Sequence, residues 1–480
     1  MQMLRAGATL KLRPYAARLR RSAALGAAAA LALLPLAQSA SAETLSDALA
    51  EAVRNSARIE AQRQVVFGQD ENVEQARSGL RPSITGQASA GAVHTDNSES
   101  PKSSQRRPTS LSLTGTQTLY DGGQTQNAVD SASATVRGAE QTLVQTEQTV
   151  LLDAVDAYVS VLAAEENVAL ASNNVRVIGE ALEAAQDRFE VGEVTRTDVA
   201  QAEARLAEAR ATLTQQQGVL NQERVSYQRQ IGSAPGRLAA LPALPPLPAS
   251  LDDAVAIARR DHPSITAARF NVDSASATVR QARGALLPQI SAQGVLQGVS
   301  EGTNDTSGQF SASAEVTITV PFYQGGALRS EVFQSQALAD QRRAELSQTT
   351  REIIESVGIA WQNLITARAQ IDSNRSQIRA ARIALEGVQE EAKVGARTTL
   401  DVLDAEQELL DAQTTLVDSR SQEYIAAYSL LSAIGRLTVA HLDLDVELRP
   451  RGRPSYVGGQ PLSRALPQTE DTQWRRNWRP

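Results

Sequence analysis

Cysteine is absent from the 480 residues, which excludes disulfides, thiol catalysis, thiolate metal sites and a lipid anchor on an N-terminal cysteine. Both methionines, Met1 and Met3, lie at the extreme N-terminus, and the three histidines (His94, His262, His441) stand far apart, forming no metal or catalytic constellation. Neither a phosphate-binding loop nor a nucleophile elbow occurs. An enzyme is therefore not expected, and no cofactor is. Beyond residue 42 there is no long apolar run free of charge. If the chain enters a membrane it must do so as β-strands.

What is present begins with an export signal. Six basic residues (Arg5, Lys11, Arg13, Arg18, Arg20, Arg21) and no acid precede the apolar run Ala23 to Leu36, and Ala40-Ser41-Ala42 follows. That is the three-part plan of a signal peptide over residues 1–42, and an Ala-rich run interrupted by Pro35 is too short to span a bilayer. Without those six, 41 Lys and Arg face 54 acids, a formal charge of about −13. A nucleic-acid partner is not expected at that charge.

The mature chain is a duplication. Leu45, Ala48, Ala52 and Ile59 reappear 206 residues later as Leu251, Ala254, Ala258 and Ile265. Tyr120 with Gly122-Gly123 reappears 203 residues later as Tyr323 with Gly325-Gly326, and that offset holds to Ile231-Gly232 and Ile434-Gly435. The units are 43–231 and 251–437, joined by a proline-rich linker, 232–250, and followed by a C-terminal region, 438–480. After Leu448 that region holds seven Arg and five Pro with Trp474 and Trp478, a composition that predicts disorder.

Each unit opens with a helix, Leu45 to Gly79 or Leu251 to Gly284, stopped before Pro82 or Pro288. A strand pair follows, clearest where Ala314, Val316, Ile318 and Val320 alternate with Glu315, Thr317 and Thr319, joined by a polar loop. Next comes a proline-free stretch, Gln124 to Phe189, of roughly 100 Å if helical. Its apolar stripe recurs at every seventh residue from Val129 to Ala185, and from Val332 to Val388 only Asn374 interrupts it. Such a period means coiled-coil packing. The pattern restarts after Val191-Gly192 and Val394-Gly395, so each unit ends in a long helical hairpin turning at Val-Gly.

Four strands cannot close a barrel, and open strand edges are not tolerated in lipid. Several copies are needed. The order of helix, strand pair, Gly-Gly, long helix, Val-Gly turn and return helix resembles the TolC family of outer-membrane ducts. Its signatures are seen in Leu119-Tyr120-Asp121-Gly122-Gly123, in Phe322-Tyr323-Gln324-Gly325-Gly326, and at the tips from Phe189 to Val199 and from Val394 to Asp404. The resemblance implies a mainly α fold with β, the outer-membrane efflux protein fold. A homotrimer would build a 12-stranded β-barrel from four strands per subunit, continued by a long α-helical coiled-coil tunnel in the periplasm. It implies an exit duct in the outer membrane, in contact with its lipid, for efflux of small molecules or type I protein secretion. Partners would be a periplasmic adaptor protein and an inner-membrane transporter of ABC or RND type. The alternative from the residues is an adaptor, which also carries hairpins but lacks paired strands before each.

The resemblance also assigns residues. Asp401 and Asp404, three apart on one helix face, would form a carboxylate ring at the periplasmic entrance. Arg397 in the second tip and Thr197 with Asp198 in the first would form interhelical links holding it shut. Val191, Gly192, Val394 and Gly395 would make the tip turns and the adaptor contact. Ala392 stands where the family commonly has an aromatic, so the closure expected here is looser or differently made.

Overall fold

The computed structural model describes residues 42–97, 100–300 and 308–446. Residues 1–41 of the expected signal peptide and the Arg/Pro-rich tail from 447 lie outside them.

Each unit opens with two helices where one was expected. Thr44 starts α1 (Leu45–Asn55) through a capping box with Asp47, and the buried Leu45, Ala48, Leu49, Ala52 and Val53 line one face. Ser56 then leaves the helical region and caps α2 (Ala57–Ser78) by accepting from the Ile59 amide. In the second unit Ser250 caps α5 (Leu251–Asp261), and His262 is extended because a helical residue would clash with the Pro263 ring. The His262 Nδ1 accepts from the Ser264 amide and so starts α6 (Pro263–Gly284).

The strands β1 (Ser83–Ala90), β4 (Thr109–Tyr120), β5 (Gln289–Ser300) and β6 (Gly308–Thr319) form one antiparallel sheet in the order β1-β4-β5-β6. Ser83 pairs with Thr116 and Gln289 with Thr319, so the offsets of 206 and 203 carry one hairpin's register onto the other. The hairpins join through β4 and β5, with Thr114 opposite Val295. The stretch expected to be a loop between β1 and β4 instead continues as β2 (Val93–Asn97) and β3 (Ser100–Arg106), whose backbone groups find partners across the hairpin.

Gly123 and Gly326, at φ of 81° and 88°, then turn the chain into the long helices α3 (Gln124–Glu190) and α7 (Ala327–Lys393). Asp121 accepts from the Gly123 and Thr125 amides and serves as the N-terminal cap that glycine cannot supply. The return helices are α4 (Arg196–Ile231) and α8 (Thr399–Ala433). From Val136 to Ala185 every seventh residue of α3 is buried. The interruption at Asn374 is satisfied across its hairpin, its amide lying 2.6 Å from the Ser419 hydroxyl.

The main core lies where α1 packs on the middle of α3 and α5 on the middle of α7, with the linker and the end of α8 closing over it. Tyr158 and Tyr227 are fully buried there. The Tyr227 hydroxyl donates to Glu43 Oε1 at 2.6 Å, and the Tyr158 hydroxyl lies 2.9 Å from the Glu43 carbonyl and 2.8 Å from that of Ala239. Glu43 and Leu238 form a parallel bridge that docks the linker. Among the described residues no helix is long and apolar enough to cross a membrane.

Candidate functional site: the hairpin tips

Both tips are built alike. At the first, the Gly192 amide donates to the Phe189 carbonyl and the Glu193 amide to that of Arg188; at the second, Gly395 donates to Ala392 and Ala396 to Glu391. Gly192 and Gly395 sit at φ of 82° and 76°, which glycine adopts without strain. Val191 and Val394 are 72% and 80% exposed, which leaves an apolar side chain projecting from each turn.

The return helices begin with twin capping boxes. Asp198 and Asp401 are the third residues of α4 and α8, and each accepts from the amide and hydroxyl of the threonine at the cap, Thr195 or Thr398, at 2.8 Å. Those two Thr398 bonds, with Arg397 nearby, hold the Asp401 carboxyl below its ordinary range.

The second carboxylate is used differently. Asp404 Oδ1 lies 2.6 Å from a guanidinium nitrogen of Arg205 on α4, which also reaches Glu208 at 3.0 Å. Beside this ion pair the buried Leu403 enters an apolar cluster with Ile178, Ala202 and Ala209 of the first hairpin. Helices α4 and α8 are therefore joined at the tip end by one apolar insertion with one ion pair at its rim.

Of the residues singled out from sequence, the structure brings Asp401 and Asp404 to the same end of α8 with separate partners. It does not bring Arg397 to Thr197 or Asp198 within the chain. Arg397 Nε donates to Glu391 of its own tip at 2.8 Å, Asp198 is held by its cap, and Thr197 is exposed on the first turn of α4. Arg205 and Leu403 were missed. The sequence held one signal for Arg205, a basic residue one turn beyond Gln201, which matches Asp404 in the first unit. Among the described residues no cluster suited to a metal ion occurs.

Duplicated hairpins of long helices beneath a four-stranded sheet with two open edges define a subunit of a membrane channel. The pattern of the outer membrane efflux protein family matches residues 48–233 and 255–436, and this chain belongs to that family. It is 37% identical over 415 residues to the outer membrane efflux protein BepC of Brucella suis, covering 85% of this chain and 89% of BepC. The fold is similar to that of the CmeC outer membrane channel of Campylobacter jejuni, with a TM-score of 0.72, 17% identity, and 82% and 86% of the two chains covered. It is also similar to the outer membrane protein VceC of Vibrio cholerae, with a TM-score of 0.69, 21% identity, and 82% and 96% covered. The family's members are channels and not periplasmic adaptors, which sets the alternative reading aside.

Proposed function

We propose that this chain, exported by cleavage of residues 1–42, is one subunit of a homotrimeric outer-membrane exit duct. It works passively with an inner-membrane transporter of ABC or RND type, reached through a periplasmic adaptor. Its cargo is small molecules, secreted proteins or both. The exposed Val191 and Val394 with Gly192 and Gly395 offer the adaptor its contact. Asp401 and Asp404 supply carboxylates at the tunnel entrance, the second partly neutralised by Arg205.

One observation carries this reading: the two units pair with each other through β4 and β5, while β1 and β6 keep open edges. If the contact between units repeats between copies, β6 stands for β4 and the next copy's β1 for β5. Carried through the offsets of 203 and 206, Thr114 opposite Val295 becomes Thr317 opposite Ser89 of the next copy. That register sets polar against polar and apolar against apolar, with Ile318 opposite Ala88 and Val316 opposite Ala90. The helices support the same operation. Gly122 packs on the Gly284 carbonyl, whereas its counterpart Gly325 has nothing within 4 Å in the single chain. Phe322 and Tyr323 are 92% and 85% exposed where Leu119 and Tyr120 are about half covered. Two copies would make an eight-stranded barrel filled by its own side chains; three make twelve strands and leave an aqueous lumen.

The test is a cysteine pair in a chain that has none of its own. Ser89→Cys with Thr317→Cys should oxidise to a covalent trimer in outer-membrane extracts, whereas Thr85→Cys with Thr317→Cys, four residues out of register, should not. Monomers from the first pair, or equal cross-linking by both, would overturn the closure.

A further inference from the structure

The four-stranded sheet has one charged side chain. Of its residues in β1, β4, β5 and β6, only Glu315 is acidic or basic. Strand alternation and the observed registers decide which way it faces. Ile318, Val316 and Phe310 share a face with Leu296 of β5 and Leu113 of β4; Glu315 lies on the other, opposite Gln293 and flanked by Ser313 and Thr317. The Thr317 hydroxyl is 3.3 Å from Glu315 Oε1. That second face continues through Thr116 and Thr114 of β4 to Ser83 and Thr85 of β1. An apolar face belongs against lipid and a Ser, Thr and Gln face against water, so in the closed barrel Glu315 points into the lumen.

We propose that Glu315 is the residue that sets the ion preference of the barrel lumen. This rests on the trimeric duct. Three copies place three carboxylates at one height, about four residues or roughly 14 Å of strand above the tunnel end of β6. None of β1, β4, β5 and β6 carries a basic side chain, and the register of the closed barrel brings Gly91 of the neighbouring copy opposite Glu315. Twelve strands tilted at about 40° enclose a backbone radius of about 12 Å, so extended glutamates end within about 8 Å of the axis. The Debye length is about 10 Å at 0.1 M salt and about 3 Å at 1 M. At the lower salt the ring's field therefore reaches the whole cross-section and favours cations over anions; at the higher it does not.

The experiment is ion selectivity in planar bilayers, read as the reversal potential across a KCl gradient, in a D401N/D404N background that lowers the entrance's own charge. At about 0.1 M, E315Q should reduce the preference for K⁺ over Cl⁻ about threefold, and E315K should invert it, with the differences vanishing near 1 M. E315C, assembled first and then treated with thiol reagents, removes any effect on folding. A negatively charged reagent should restore the preference and a neutral one should not. Channels whose selectivity ignores the charge at residue 315 overturn this assignment alone. Failure of the unmutated chain to give trimeric channels at all would overturn the duct as well.

Discussion

At the scale of single residues, the tips divide work among acids that look equivalent in sequence. Asp401 is held by its cap and Asp404 by a cation from the other hairpin, so their substitutions should read differently. The Arg205–Asp404 pair is half open to water, and exposed pairs contribute about 0.2–1 kcal/mol each. Arg205→Ala should therefore raise the open fraction of single channels by no more than about fivefold, and Arg205→Lys by less. An unchanged open fraction would mean that Leu403 alone holds the hairpins together there. Because the folded state depresses the Asp401 carboxyl, its contribution to the cap is present at neutral pH. It is lost as pH falls through that lowered value, beneath the ordinary 3.8. Amide exchange in the first turn of α8 should quicken over that acidic range, and in Asp401→Asn it should already be quick at neutral pH. Gly395 has open space around it, so Gly395→Trp strains only a turn; it should abolish export while trimers persist. Loss of the trimer would make the residue merely structural.

At the scale of elements, the breaks in the opening helices are where each hairpin's far end is received. Gly232, ending the first hairpin, packs on Asn55, and Gly435, ending the second, packs on the His262 backbone. The repeat thus uses one joint twice, with different residues. His262 is buried in its joint, and burial pushes its pKa from 6.5 down to about 4. A histidine held neutral in this way stabilises the fold fully above 6.5, and the contribution is lost as pH falls from 6.5 through about 4. Unfolding followed across that range should show a loss of stability that His262→Asn, which keeps a capping side chain, lacks. The glycines at the sheet-to-helix turns separate folding from assembly. A Cβ on Gly122 would lie 2.3 Å from the Gly284 carbonyl oxygen at a φ of 69°. Gly122→Ala should therefore destabilise each chain by about 1–3 kcal/mol or more. Gly325→Ala meets no atom within its own chain but sits at a φ of 62°, so each chain should lose only the strain of that turn, about 1–2 kcal/mol, and any loss beyond it should appear in the heat-stability of the trimer, as gel mobility before and after heating would record.

At the scale of the whole molecule, the chain is half-made in isolation. Its sheet has two free edges, and α7 exposes Phe333, Ile359 and Ile383, as expected of a surface that another copy covers. The N-terminal cut belongs to this scale too, because Glu43 is built into the junction of the two units: its amide donates to the Arg237 carbonyl at 2.9 Å. The mature protein should begin at Glu43, which N-terminal sequencing of outer-membrane material checks directly.

The sequence by itself determined whatever is local or periodic. Glycines mark the positive-φ turns at 122–123, 192, 325–326 and 395, the seven-residue stripe marks the long helices, and two constant offsets mark the duplication, including the register inside each hairpin. The break at His262 was legible in Pro263; its twin at Ser56 was not, because serine is compatible with a helix and only the packing of Gly232 on Asn55 singles that joint out. The tertiary structure alone decided the pairing of β4 with β5, the reach of Arg205 to Asp404, the entry of Leu403 into the first hairpin and the bonds of Glu43 to two buried tyrosines. Those contacts join residues 115 to 225 positions apart. They follow from how two finished helical hairpins lie against each other, which repeats at no spacing along the chain and so leaves no trace in its pattern.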